Sequence, residues 1–266
     1  MLVNQTHAKT KRGTLIQFKS ISIATAVLFC TVGAANAATT FNTSLASPPG
    51  VYFGAGNSNG NFTVDRTGNV ELGLSAIERY VGPIVPTGST YNVSTAATAE
   101  PGKTGSDWGF VFSVNINADG TETKHNLSNI TAILGLQDIA KGTTGSFDLA
   151  LIPDNSLYGA GGKCFPSSSC NVASNYAFQN SETLSFGSIA GALGDPTFDY
   201  TMNNTYIFTL SLYNNLSGGS LISSDQITVI AGRGAAAVPE PLTLSLFAAG
   251  LVSAGALRRR KKVSKA

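Results

Sequence analysis

The chain has 266 residues and a formal net charge of +2, with only 12% of residues charged. That total hides a partition: residues 1–37 carry four Lys/Arg and no acid, residues 38–237 carry seven Lys/Arg against fourteen Asp/Glu, and the last 29 residues carry six Lys/Arg and one Glu. The long middle is acidic and has no basic patch, which excludes the usual electrostatic footprint of a nucleic-acid-binding protein.

At the N-terminal end, Lys9, Lys11, Arg12 and Lys19 precede an apolar stretch at 21–32, and Ala35-Asn36-Ala37 follows. A charged region, a short apolar core and a small-residue A-x-A site, in that order, predict a secretory signal peptide over 1–37. Cleavage is expected at the Ala35/Ala37 signature, so the mature chain starts at or near Ala38. Cys30 follows the bulky Phe29. A lipoprotein signal needs a small residue there, so no lipid anchor is expected.

Residues 38–234 show almost no helical periodicity and frequent strand-like alternation. In 205–213 (TYIFTLSLY), Tyr206, Phe208, Leu210 and Leu212 share one face, opposite Thr205, Thr209 and Ser211. In 108–117 (WGFVFSVNIN), Trp108, Phe110, Phe112, Val114 and Ile116 share a face. Further strands are expected at VYF (51), NFTVDR (61), NVELGLSAIERY (69), STYNVSTA (89), NITAILGLQ (129), SFDLALI (146), ETLSFGSI (182) and DQITVIAG (225). Such strands, separated by Gly, Asn, Asp and Pro clusters, predict an all-β body: one antiparallel β-sandwich or jelly roll. A body of that length can bury a substantial core. Residues 231–238 (AGRGAAAV) read as a small-residue spacer, and no repeat of fixed period is present.

Motifs with chemical content are sparse. Gly56-Asn57-Ser58-Asn59-Gly60 matches G-x-S-x-G, but a strand pattern follows where a nucleophile elbow needs a helix, so a hairpin loop is the better reading. A serine hydrolase also needs a base, and His125 is the only histidine beyond the signal peptide. Asn115-Ile-Asn117-Ala-Asp119-Gly120-Thr-Glu122 matches the start of an EF-hand loop, but its twelfth position is Asn126 instead of a bidentate Glu. Asp119-Gly120 reads better as a hairpin turn, with Asn117, Asp119 and Glu122 as a loose calcium alternative. Gly162-Lys163 is no P-loop, because Cys164 stands where Ser/Thr is required. Cys164 and Cys170 bracket five residues, and in an exported chain such a pair is expected to form a disulfide; with no His nearby it is no zinc site. Fourteen acids leave a glycosidase-type pair open, but spacing selects none. Trp108 and the tyrosines read as core or cross-strand pairs, with a sugar-binding surface as the alternative. No cofactor is expected.

The C-terminal end has three parts. Pro239-Glu240-Pro241 comes first, then sixteen residues (242–257) without a charge, then Arg258, Arg259, Arg260, Lys261 and Lys262. As a helix, 242–257 spans about 24 Å at roughly 1.5 Å per residue, a short membrane crossing. The basic cluster would hold its far end in the cytoplasm by the positive-inside rule. The prolines fit a helix entrance and keep the preceding backbone extended.

This tail resembles the PEP-CTERM sorting signal of Gram-negative bacteria, also described on ice-binding proteins, in the order and spacing of VPEP, apolar run and arginine cluster over 235–266. The resemblance implies processing by an exosortase, an integral-membrane cysteine protease that recognises the Pro-Glu-Pro. It also implies transient membrane anchoring, a final place at the cell surface or outside, and a link to exopolysaccharide and biofilm. VYFGAGNSNGNFTV (51–64), NVELGLSAIERY (69–80), DWGFVFSVNI (107–116) and PTFDYTMNNTYIFTL (196–210) are similar to exported PEP-CTERM proteins with uncharacterised β-rich bodies, a resemblance that brings no active site. The leading expectation is a non-enzymatic surface or matrix protein whose partners are the protease, the membrane and extracellular polysaccharide. Its rivals are a lectin-like or ice-binding module and a polysaccharide hydrolase or lyase. Ice binding favours flat Thr-x-Thr arrays, which only Thr121-x-Thr123 approaches.

Overall fold

The computed structural model describes residues 39–46, 58–97, 101–122, 125–185, 191–194, 199–217 and 219–235. Thirteen strands lie among them. In chain order they are β1 (Thr40–Thr43), β2 (Phe62–Thr67), β3 (Val70–Glu78), β4 (Gly82–Pro83), β5 (Thr90–Val93), β6 (Trp108–Asn115), β7 (Ile130–Asp138), β8 (Thr143–Asp148), β9 (Ser156–Gly159), β10 (Gly162–Cys164), β11 (Asn175–Thr183), β12 (Asn204–Asn214) and β13 (Ser220–Ala231). They form two sheets. One has the order β1-β2-β3-β6-β11-β9-β10, with β4 paired to the end of β3; the other has the order β5-β13-β12-β7-β8. The chain is therefore all-β, in two largely antiparallel sheets.

One pairing departs from the antiparallel expectation. β5 runs parallel to β13, with Thr90 opposite Thr228 and Val93 opposite Ala231. No hairpin joins these two edge neighbours, because the chain returns from β5 to the first sheet at β6. Nothing therefore obliges them to run in opposite directions.

Alternation builds the shared core. On β12, Tyr206, Phe208, Leu210 and Leu212 are fully buried, while Thr205, Thr209 and Ser211 are half-buried on the other face. They meet Trp108, Phe110, Phe112 and Val114 of β6 from the opposite sheet. The Phe110 and Phe208 rings lie 4.8 Å apart, and Trp108 meets Phe208 edge-on at 6.4 Å. Both separations suit tilted and edge-to-face aromatic contact.

β6 is buried along its whole length. Its outer face is covered too, because Val111 packs with Leu45, Phe62, Val64 and Ile77 in a second cluster. Leu45 reaches that face over Gly73, where a Cβ would stand 2.5 Å from Leu45 Cδ2. The preceding chain is held there by Glu71, fully buried, whose carboxylate accepts the Ala46 N–H at 2.9 Å and the Arg66 Nε–H at 2.7 Å.

Three local expectations are corrected. The strand expected from 182 instead spans Asn175–Thr183, because its apolar signal is broken by buried Gln179 and Asn180, which hydrogen-bond Ser113 and Asp154. The strand expected over 146–152 ends at Asp148, whose side chain caps a 3₁₀ turn by accepting the Ala150 N–H at 2.9 Å. The β9–β10 hairpin was not expected at all, since its strands are only four and three residues long.

Candidate functional site

A polar cavity opens where β3 hands over to β4. Glu78 ends β3 directly opposite Trp108, the first residue of β6, and Asp107 precedes Trp108. Asn92 and Val93 come from β5 of the other sheet and Ser94 follows it, so both layers build one cleft of about 440 Å³. That is within the size range of small-ligand sites. Glu78, Asn92 and Ser94 are exposed, Asp107 is half-buried, and Trp108 is 1% exposed. The Trp108 indole N–H has no hydrogen-bond partner. A buried indole donor normally finds one.

The turn beside this cleft is held in an unusual shape. Tyr80 has φ +66°, in the left-handed region that a bulky side chain enters at a cost of roughly 1–2 kcal/mol. Neighbouring bonds fix it there. The Arg79 N–H donates to the Asp107 carbonyl at 2.8 Å, and the Arg79 Nη1 donates to the carbonyls of Thr104 at 3.2 Å and Ser106 at 3.0 Å. The Arg79 Nη2 donates to the Tyr80 hydroxyl at 2.9 Å. Tyr80 is left 45% exposed, next to Val81 of the cleft wall.

Chemically the arrangement suits a polyhydroxylated ligand. The carboxylates accept from hydroxyls, Asn92 and Ser94 donate and accept, and Tyr80 stands exposed beside the cleft. A larger groove of about 520 Å³ lies beside the disulfide loop, walled by Leu127, Ile130, Ile152, Leu157 and Phe178. Apolar surface predominates in it, although Asp148, Asn155 and Asn215 also line it.

A separate pair of carboxyls sits on β11 and the loop before β9. The Asn180 Nδ2 donates to Asp154 Oδ1 at 3.0 Å and to Glu182 Oε1 at 3.3 Å, so the two carboxyls share one amide. Burial and then the Asp154 charge push the Glu182 carboxyl up to about 7. Between the sheets, Asp225 is 2% exposed, and burial with the nearby Asp65 charge holds it well above the ordinary carboxylate range.

The residues named from sequence fall as follows. The Asn117 Oδ1 accepts the Glu122 N–H at 2.7 Å, the Asp119 Oδ1 accepts the Thr121 N–H at 2.9 Å, and the Glu122 Oε2 lies 2.8 Å from the His125 Nδ1. These oxygens serve their own turn. Among the described residues no cluster of three or more His, Cys, Asp or Glu could hold a metal ion. Ser58 and His125 share no hydrogen bond. Cys164 and Cys170 are joined by a disulfide. Ala35, Ala37, Pro239, Glu240, Pro241, the 242–257 run, the basic residues Arg258, Arg259, Arg260, Lys261 and Lys262, and the VYF strand at 51 lie outside the described residues. Among the described residues no helix is long and apolar enough to cross a membrane.

The sequence offers Trp108 and the tyrosines together as core or cross-strand residues, with a sugar-binding surface as the alternative, and singles out neither Glu78 and Asp107 nor Tyr80. Only Glu78-Arg79-Tyr80 at a strand end, a charged pair running into an aromatic, hinted at that turn.

No protein-family model matches the chain, and no curated protein matches it.

Proposed function

We propose that this chain is an exported, non-enzymatic surface or matrix protein. In this reading its body is a single β-sandwich that associates with extracellular polysaccharide. Its tail is the substrate of an exosortase-type membrane protease that reads Pro239-Glu240-Pro241. The supporting observation in the body is the cleft: two carboxylates, Glu78 and Asp107, with Asn92 and Ser94 around one cavity, beside a strained, exposed tyrosine. Sugars are recognised by such sets, because each hydroxyl both donates and accepts while the ring C–H faces are apolar.

The test is co-sedimentation of the exported protein with the polysaccharide of its own cells. Asp107→Asn with Glu78→Gln removes the acceptor charge of the cleft and leaves the core intact. Association should fall about tenfold, as loss of one or two charged hydrogen bonds implies. Undiminished association places polysaccharide binding elsewhere.

A second reading, polysaccharide hydrolysis, is favoured by the Asp154–Asn180–Glu182 set, in which Glu182 has the raised value of a general acid. It is separated from the first by turnover. Reducing-end release that disappears in Glu182→Gln makes the protein an enzyme, and absence of release leaves the binding reading.

A further inference from the structure

The turn that carries Tyr80 also gathers positive charge on an otherwise acidic body. The Arg79 guanidinium carbon lies 5.0 Å from the centre of the Tyr80 ring, and the Lys103 ammonium lies 6.0 Å from it. Residues 38–237 hold seven Lys/Arg against fourteen Asp/Glu, so two of the seven meet at one exposed ring. Among the described residues neither is paired with a carboxylate, unlike Arg66, whose guanidinium pairs with Glu71. Arg79 uses three donors on Thr104, Ser106 and Tyr80, which leaves its Nε–H and one Nη2–H for another acceptor. Lys103 is exposed with all three of its donors.

We propose that the Arg79–Tyr80–Lys103 stack is a carboxylate subsite, and that the polysaccharide bound in the adjoining cleft is acidic, of the polyuronate class. This rests on the saccharide reading of the cleft and adds the charge of the ligand. A uronate carboxylate takes the open edge of Arg79 and the Lys103 ammonium, beside the exposed Tyr80. The next sugar's hydroxyls then meet Glu78 and Asp107. Those two acids accept from hydroxyls and repel a carboxylate, so the next uronate binds with its own carboxylate turned away from them, which sets a register along the polymer.

The experiment measures binding of the full exported chain to calcium-free polygalacturonate, to the same polymer with its carboxyls reduced to alcohols, and to phosphatidylglycerol vesicles. Polygalacturonate should bind at least about tenfold more tightly than the reduced polymer, and raising NaCl from about 50 mM to about 500 mM should remove most of that difference. Lys103→Glu, at an exposed site, should weaken polygalacturonate binding by about tenfold and leave the reduced polymer unaffected. Arg79→Lys keeps the charge, loses the fork and should give an intermediate loss. Equal binding of both polymers, or indifference to Lys103→Glu, overturns the acidic subsite and leaves the saccharide cleft standing. Failure to bind either polymer overturns both. Binding to vesicles in place of polygalacturonate assigns the stack to a membrane surface and overturns the proposal.

Discussion

Ser223 on β13 donates its hydroxyl to the carboxylate of Asp65 on β2, so a polar bond joins the two sheets through the interior. Asp225 lies two residues further along the same inward face, and its raised value follows from burial first and the Asp65 charge second. The folded state therefore holds a proton that the unfolded chain releases. For a carboxyl raised in the folded state, stability falls as pH climbs from the ordinary value toward the raised one. Glu182 adds the same sign between its ordinary 4.5 and about 7. Asp119 and Asp199 are lowered by their Thr121 and Thr201 hydrogen bonds, and they act in the opposite sense only in more acid solution. Thermal unfolding should therefore give a lower Tm at about pH 8 than at about pH 5. Asp225→Asn, which cannot ionise, should flatten that slope and raise the Tm at pH 8. A slope unchanged in Asp225→Asn would remove Asp225 as its source.

Phe208 and Thr209 are chain neighbours on opposite faces of β12. Phe208 is fully buried against Phe110 and Trp108, whereas Thr209 is half-buried and accepts from the Gln226 side chain at 2.9 Å. Phe208→Ala leaves a cavity in the shared core and should cost about 3–5 kcal/mol. Thr209→Ala should stay within about 0.5 kcal/mol. Chemical denaturation of the two variants reads both values, and comparable losses would mean that the sheets do not close on one core.

What could be read from the sequence follows the same division. β12, β13, β6 and β3 were legible because one face of each carries large apolar residues at a period of two, and burial selects that pattern. β11 was not, since Gln179 and Asn180 sit at buried positions and are satisfied by residues far away in sequence. The cleft was illegible for a related reason. Glu78, Asn92 and Asp107 come from three strands and loops of two sheets, and only the register of Glu78 opposite Trp108 assembles them. The disulfide was legible because its loop is local, six residues from end to end.

That disulfide bounds a short loop behind the β9–β10 hairpin. Closing a loop of this size removes about 2 kcal/mol of unfolded-state freedom in the chain-entropy account. Alkylation of the exported protein before reduction should label neither Cys164 nor Cys170. Replacing both by Ser should lower stability by about that amount while leaving the cleft, built from other strands, able to bind. Free reaction of both thiols without reductant would show that the bridge does not form in the exported protein.

The sorting tail gives the sharpest separation of outcomes. Pro239-Glu240-Pro241 stands just before a short apolar run, and Arg258, Arg259, Arg260, Lys261 and Lys262 stand just after it. Under the proposed reading the apolar run would drive insertion and the basic cluster would set orientation, so neither property would depend on Glu240 or Pro241. Replacing those two by Ala should leave membrane insertion intact. It should abolish processing, because Pro-Glu-Pro is the element that the proposed protease reads. Unprocessed protein should accumulate in the inner membrane, read as a slower-migrating band that fractionates with it. Deleting residues 238–266 should have the opposite result, a body released to the periplasm, since the span has gone as well as the recognition element. If the doubly substituted chain is processed and reaches the surface at the normal rate, then Pro-Glu-Pro is only a helix entrance and is not the element that directs processing.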